Sequence, residues 1–130
     1  MKLGLISAIL GDLSFEEMID FLAECGLECV EVACWPKGKA ERRYAGVSHI
    51  DVDTLDDEKC AHILDYCQKK GVEISSLAYY PNTMDPDVEK RTAYIEHLHK
   101  LIDASAKLGV NMITTFIGRD PKKTVSQNLE

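Results

Sequence analysis

Gly26-Leu27-Glu28-Cys29-Val30-Glu31-Val32-Ala33-Cys34-Trp35 holds a helix stop, a tight turn and a strand-like run. Glycine adopts the left-handed stop cheaply, and the β-branched and apolar residues after it suit a strand of a buried parallel sheet. The same joint returns at Gly71-Val72, ahead of Glu73-Ile74-Ser75-Ser76-Leu77-Ala78-Tyr79-Tyr80, and at Gly109-Val110, ahead of Met112-Ile113-Thr114-Thr115-Phe116-Ile117. A first strand, Leu3-Gly4-Leu5-Ile6-Ser7, precedes all three. Recurrence of one joint is the mark of stacked βα units.

The stretches between these strands have helical periodicity. Ser14 and Glu17 form a capping box, and Phe15, Met18, Ile19, Leu22 and Cys25 then share a face that stops at Gly26. A second helix is expected from about Asp56 to Lys70, with Cys60, Ile63, Leu64 and Cys67 inward and two lysines beside its negative pole. The third, from about Asp87 to Leu108, is expected to turn Ile95, Leu98, Ile102 and Ser105 or Ala106 inward. Thr124-Val125-Ser126-Gln127 has the form of a capping box for a fourth helix, which the sequence leaves within its first turn.

Amphipathic helices alternating with apolar strands define an α/β protein with right-handed crossovers and helices outside a parallel sheet or barrel. A closed (β/α)8 barrel takes about 250 residues. The expectation is therefore a single partial domain over residues 1–130, the N-terminal half of such a barrel, with four parallel strands, three complete helices and the start of a fourth. A flavodoxin-like nucleotide-binding domain also fits the size and alternation. Ala8-Ile9-Leu10-Gly11-Asp12-Leu13, after strand one, lacks the clustered glycines of a phosphate cradle and lowers that option.

A net charge of −7 argues against nucleic acid or an anionic membrane as partner. The five cysteines form no Cys-x-x-Cys pair and cannot all pair within one chain, so they read as reduced core thiols of a cytoplasmic protein. Lys2 and the short apolar run after it lack a signal-peptide cleavage site, and no segment is long enough to span a membrane.

The αβ connections are very short and the βα connections longer and polar, which places function on the strands' C-terminal side. The longest, from Pro36 to about Leu55, carries Lys37, Lys39, Arg42, Arg43, Tyr44, His49, Asp51 and Asp53, and its basic cluster of Lys37, Lys39, Arg42 and Arg43 reads as phosphate contacts or as solvated surface charge. Glu31 lies within the second strand, either facing a site in the barrel or paired with a cation. Trp35 could stack on a ligand ring or pack at the rim. Tyr80 and Asn82 sit where the third strand meets its loop, and Asn82 suits either ligand hydroxyls or the turn that Pro81 starts. Arg119, beside Gly118, suits a phosphate or carboxylate, or an ion pair with Asp120.

Five segments in this order resemble the sugar phosphate isomerase/epimerase group of xylose isomerase-like TIM barrels: Leu3–Ser7, Gly26–Val32, Ser48-His49-Ile50-Asp51, Leu77–Asn82 and Thr114–Pro121. The resemblance implies proton transfer next to a carbonyl of a small-molecule sugar or sugar phosphate, assisted by a divalent metal such as Mn²⁺, Mg²⁺, Co²⁺ or Zn²⁺. The family's ligands come from later strands, so no residue here is assigned to the metal, no catalytic residue is assigned, and tight metal binding by this chain is not expected. The resemblance also implies that His49 lies near the mouth of the site, where it could bind substrate or move a proton. His62, His97 and His99 lack that context and read as surface or packing residues. A related branch of abasic-DNA endonucleases uses histidines after strands three and four, where this sequence has Tyr79–Asn82 and Phe116–Arg119. A half-barrel that self-associates, or that recruits a complementary C-terminal half, is the non-catalytic alternative.

Overall fold

The computed structural model describes residues 1–38 and 44–129. In chain order the elements are β1 (Gly4–Ile6), a 3₁₀ turn (Ser7–Leu10), α1 (Phe15–Glu24), β2 (Cys29–Ala33), α2 (Asp57–Lys70), β3 (Glu73–Ala78), α3 (Val88–Leu108), β4 (Ile113–Thr114) and α4 (Val125–Leu129). The strands form one parallel sheet in the order β1-β2-β3-β4. A doubly wound sheet reverses its strand order at a switch point, so this sequential order removes the flavodoxin-like alternative and fits a partial (β/α)8 barrel.

The three glycine joints are built alike. Gly26, Gly71 and Gly109 take φ of 70°, 71° and 65°. The aliphatic residue after each sends its N–H back five residues, Leu27 to Leu22, Val72 to Cys67 and Val110 to Ser105, at 2.9, 3.1 and 3.0 Å. This is the Schellman closure, which satisfies helix-end carbonyls and turns the chain straight into the next strand. The N-termini are equally local. The Ser14–Glu17 capping box is complete, Asp56 accepts from Lys59 N–H and Asp87 from Glu89 and Lys90 N–H. Thr124 and Gln127 close the box that opens α4.

The core lies on the helix side of the sheet. Val30, Val32 and Cys34 from the β2 segment and Leu77 and Tyr79 from the β3 segment meet Met18, Ile19 and Leu22 of α1, Ile63 and Cys67 of α2, and Leu101, Ala104 and Leu108 of α3. Burial pushes the Cys34 thiol up to about 12 and Cys67 up to about 11, which keeps them protonated and inert. Cys25 is exposed at the end of α1, contrary to its expected place in the core. Its position at the cap carries it past the apolar stripe.

The inward stripe of α3 also differs from expectation. His97, Leu101, Ala104 and Leu108 are buried, whereas Ile95 and Ile102 are exposed. Lys100 and Lys107 reach Asp53 and the Leu55 carbonyl on one side of this stripe, and Ile95 and Ile102 lie well round the helix on the other. A barrel helix has one stripe on the sheet and apolar flanks against neighbouring helices, and periodicity alone does not separate them. Leu64 of α2, expected inward, is likewise an exposed flank residue.

His97 is bound to the fold by its Nε2, 2.8 Å from the Cys34 carbonyl oxygen, and by its ring against Tyr79. Replacing it with Ala removes buried packing and leaves a buried carbonyl unpaired, so His97→Ala should lower the full-length protein's unfolding free energy by about 2–3 kcal/mol. Exposed His99→Ala should leave it unchanged within about 0.5 kcal/mol. Denaturant titrations of the two variants check this.

Candidate functional site

The inner face of the sheet, opposite the helices, carries a connected polar group. Glu31 accepts from the Ser76 hydroxyl at 3.1 Å through one oxygen and from the Tyr80 hydroxyl through the other. An irregularity in the β2–β3 pairing makes this possible: Val30 pairs with Ile74 but Glu31 with Ser76, so Ser75 is an extra residue on β3. Ser75 gives its own hydroxyl to the Val30 carbonyl at 3.0 Å. Burial, and next the bond to Glu31, push the Tyr80 phenol above its usual value, with Thr114 beside it pulling the other way. The Tyr80 ring lies against Phe116 at 4.6 Å between centroids. An open hollow of about 530 Å³ is bordered by Ile6, Cys29, Glu31, Ser75 and Tyr80.

His49 belongs to a second group at the strand ends. Buried Ser7 accepts from Ala33 N–H at 2.8 Å, and its hydroxyl meets His49 Nδ1 at 3.0 Å. The other ring nitrogen, Nε2, lies 3.2 Å from the Leu10 carbonyl, and His49 N–H bonds to the Ala33 carbonyl. With the proton on Nε2, every contact is satisfied: Ser7 donates to Nδ1 and Nε2 donates to Leu10. His49 therefore ties the loop after β2 to the turn after β1. Burial holds its imidazole below the usual value against the two carbonyls that favour the charged form.

The remaining candidates separate. Trp35 sits edge-on to Tyr79, ring centroids 4.9 Å apart, on the helix side of the sheet and away from Glu31. Asn82 clamps the loop after β4, its amide donating to the Arg119 carbonyl at 2.9 Å while its oxygen accepts from Arg119 N–H at 2.8 Å. Gly118, at φ 79°, fits beneath this clamp because a Cβ there would lie 1.9 Å from the Asn82 oxygen. The Arg119 side chain is exposed at the rim. Lys37 pairs with Asp51 at 3.1 Å, while Lys39, Arg42 and Arg43 fall outside the described residues.

Structure thus joins Glu31 with Tyr80 and Asn82 with Arg119, and leaves Trp35 and His49 in separate settings. Ser7, Ser76 and Phe116 are the partners that sequence reading missed. The signal for Ser76 was a pair of serines inside an otherwise apolar strand, next to a strand that carries a carboxylate. Among the described residues no group of three or more His, Cys, Asp or Glu side chains converges on a possible metal position. Glu31 and His49 belong to two separate hydrogen-bond networks.

A sequential parallel sheet with its helices on one face and a polar network on the other defines a partial (β/α)8 barrel. The chain belongs to the xylose isomerase-like TIM barrel family, whose model matches residues 19–130. No curated protein sequence matches it significantly. Among solved structures it is similar to the probable 3-DHS dehydratase AsbF of Bacillus anthracis, at TM-score 0.69 and 19% identity over 99% of this chain. It is also similar to a candidate xylose isomerase of Rhodospirillum rubrum, at 0.66 and 19% over 100%, and to a xylose isomerase domain protein of Planctomyces limnophilus, at 0.62 and 12% over 94%. The chain spans 43% of the length of each.

The pH response of the His49 latch has a definite sign. Its folded pKa lies below the unfolded value, so the unfolded chain takes up the proton first as pH falls. The stabilisation is whole above the unfolded value of about 6.5 and is lost as pH drops toward the folded one. Thermal melts of the full-length protein between about pH 7.5 and 5 should show a steeper loss in the parent than in His49→Gln. Equal slopes would remove the latch from the account.

Proposed function

We propose that this chain is the N-terminal half of the catalytic barrel of a sugar or sugar-phosphate isomerase/epimerase that moves a proton next to a carbonyl. The observation that carries this reading is the Glu31–Ser76–Tyr80 group on the inner face, opposite the side where the apolar core packs. A carboxylate has about four lone-pair sites, so Glu31 can still accept from sugar hydroxyls while two hydroxyls hold it in place. The Tyr80 and Phe116 rings offer an apolar wall beside it. Arg119 at the rim would serve a phosphate or carboxylate. His49 and Asn82 position the loops around the substrate, and Trp35 supports the rim from the helix side.

In this reading the divalent cation and its ligands belong to strands outside this chain, and this half binds and orients the substrate. A cytoplasmic location belongs to the same proposal, and the free thiols of the described cysteines are compatible with it. Among the described residues no helix is long and apolar enough to cross a membrane. In the full-length protein, assayed with divalent metal over a panel of ketoses and their phosphates, Glu31→Gln and Tyr80→Phe should each lower kcat/KM about 10- to 100-fold. His99→Ala should match the parent. Parent-like kinetics for both site variants would place the substrate elsewhere.

The open edges favour a second reading for the isolated chain. Leu3, Phe116 and Ile117 are exposed beside β1 and β4, and unpaired edges recruit other chains. Light scattering should find the isolated 130-residue polypeptide self-associated. A well-protected monomer by hydrogen exchange would remove this reading.

A further inference from the structure

Among the described residues, the hydroxyl protons of the inner face are already committed. Ser76 and Tyr80 give theirs to the Glu31 carboxylate. Ser75 gives its proton to the Val30 carbonyl at 3.0 Å. Thr114, on the same face through its pairing with Ala78, has the Leu77 carbonyl at 3.4 Å and the Tyr80 oxygen as acceptors for its own. Carboxylate and carbonyl oxygens accept only, so they fix the direction of each O–H that meets them. These hydroxyls have no second proton for a ligand.

The charge of the face has the same bias. No Lys or Arg among the described residues borders the hollow or pairs with Glu31. Cys29 adds a thiol, which is a weak donor. A phosphate or carboxylate brought here would give up its water for a like charge and a set of lone pairs. A neutral hydroxyl is matched instead, because its O–H meets the lone pairs left on Glu31 and the adjoining C–H surface meets the Tyr80 and Phe116 rings.

We propose that the inner face selects neutral polyhydroxyl groups, with Glu31 accepting their hydroxyl protons, and excludes phosphate and carboxylate groups. Resting on the substrate-binding role proposed for Glu31, this selection also sets an orientation: a phosphorylated sugar lies with its polyol end on Glu31 and its phosphate outside the hollow.

The test is calorimetry on the full-length protein with divalent metal present, using a panel of pentitols and hexitols and the aldonates of the same chain lengths. At least one alditol should bind saturably below about 10 mM. Glu31→Gln removes the charge and supplies an N–H donor, so the alditol-to-aldonate affinity ratio should fall about tenfold or more from its parent value, with the aldonate held as tightly as by the parent or more so. Taking the ratio against the parent cancels any attraction between the aldonate and the metal. Tyr80→Phe takes one hydrogen bond from Glu31 but leaves its charge, and should weaken the alditol about threefold or more without helping the aldonate. An unchanged ratio in Glu31→Gln, equal loss of both ligands, an aldonate gain in Tyr80→Phe as large as in Glu31→Gln, or no saturable alditol binding overturns the proposal. Turnover of the ketose panel is a separate readout. A fallen ratio with parent-like kcat/KM in Glu31→Gln keeps the selection and removes the catalytic reading, and an unchanged ratio with lowered kcat/KM does the reverse.

Discussion

One extra residue in β3 decides which side chains this protein gives to its core and which to its inner face. Strand side chains alternate, so Ile74 and Leu77, three apart, cannot both face the helices in a regular strand. Ser75 is inserted opposite the Val30–Glu31 step, and pairing resumes with Ser76 against Glu31 and Leu77 against Val32. After that shift Leu77 and Tyr79 join the core, and Tyr80 reaches the Glu31 carboxylate. Without it the parity of everything beyond Ile74 would invert. Tyr79 would face the barrel axis, and Tyr80 would meet the helices. A bulge in a parallel pair is uncommon, and here it sets both packing and polarity.

The Glu31 network follows from the same division. An ionised carboxylate on an inner face needs hydrogen bonds, and Ser76 and Tyr80 supply one to each oxygen. The C-terminal rim is held by a different device, side chains bonded to the backbone of another βα loop. Ser7 and His49 join the first two loops, and Asn82 joins the third to the fourth. Loops fixed in this way keep a pocket's walls in place, which lowers the ordering cost of binding a small polar ligand.

Much of this was legible in the sequence. The three glycine joints, the caps at Ser14, Asp56, Asp87 and Thr124, and the order of elements all follow from chemistry within a few residues of each position. The site was less legible, because its contacts cross the sheet. Glu31 and Tyr80 are 49 residues apart and Ser7 and His49 are 42 apart, and nothing local announces either pair. Trp35 shows the limit most clearly, since an aromatic at a strand end faces either side according to a shift of one residue. The α3 stripe failed for a related reason. Isoleucine on a barrel helix marks a helix–helix flank as readily as a sheet-facing position, and the buried positions include His97, whose burial rests on a carbonyl that the sequence does not reveal.

The placement of the core explains how four strands hold their shape while one face of the sheet stays polar. Val30, Val32, Leu77 and Leu101 are fully buried between sheet and helices, so most apolar contact forms within this half. The inner face contributes little to that packing. Its residues are therefore open to selection for binding, and a change such as Glu31→Gln alters hydrogen bonding there without opening a cavity in the core. In a closed barrel the opposite strands would complete this face, excluding water from around Glu31 and strengthening each polar contact it makes. The apolar packing of this sheet rests on its outer layer, and the Glu31 hydrogen-bond network lies on its inner one. The Ser75 insertion, by setting the parity of β3, keeps the two apart.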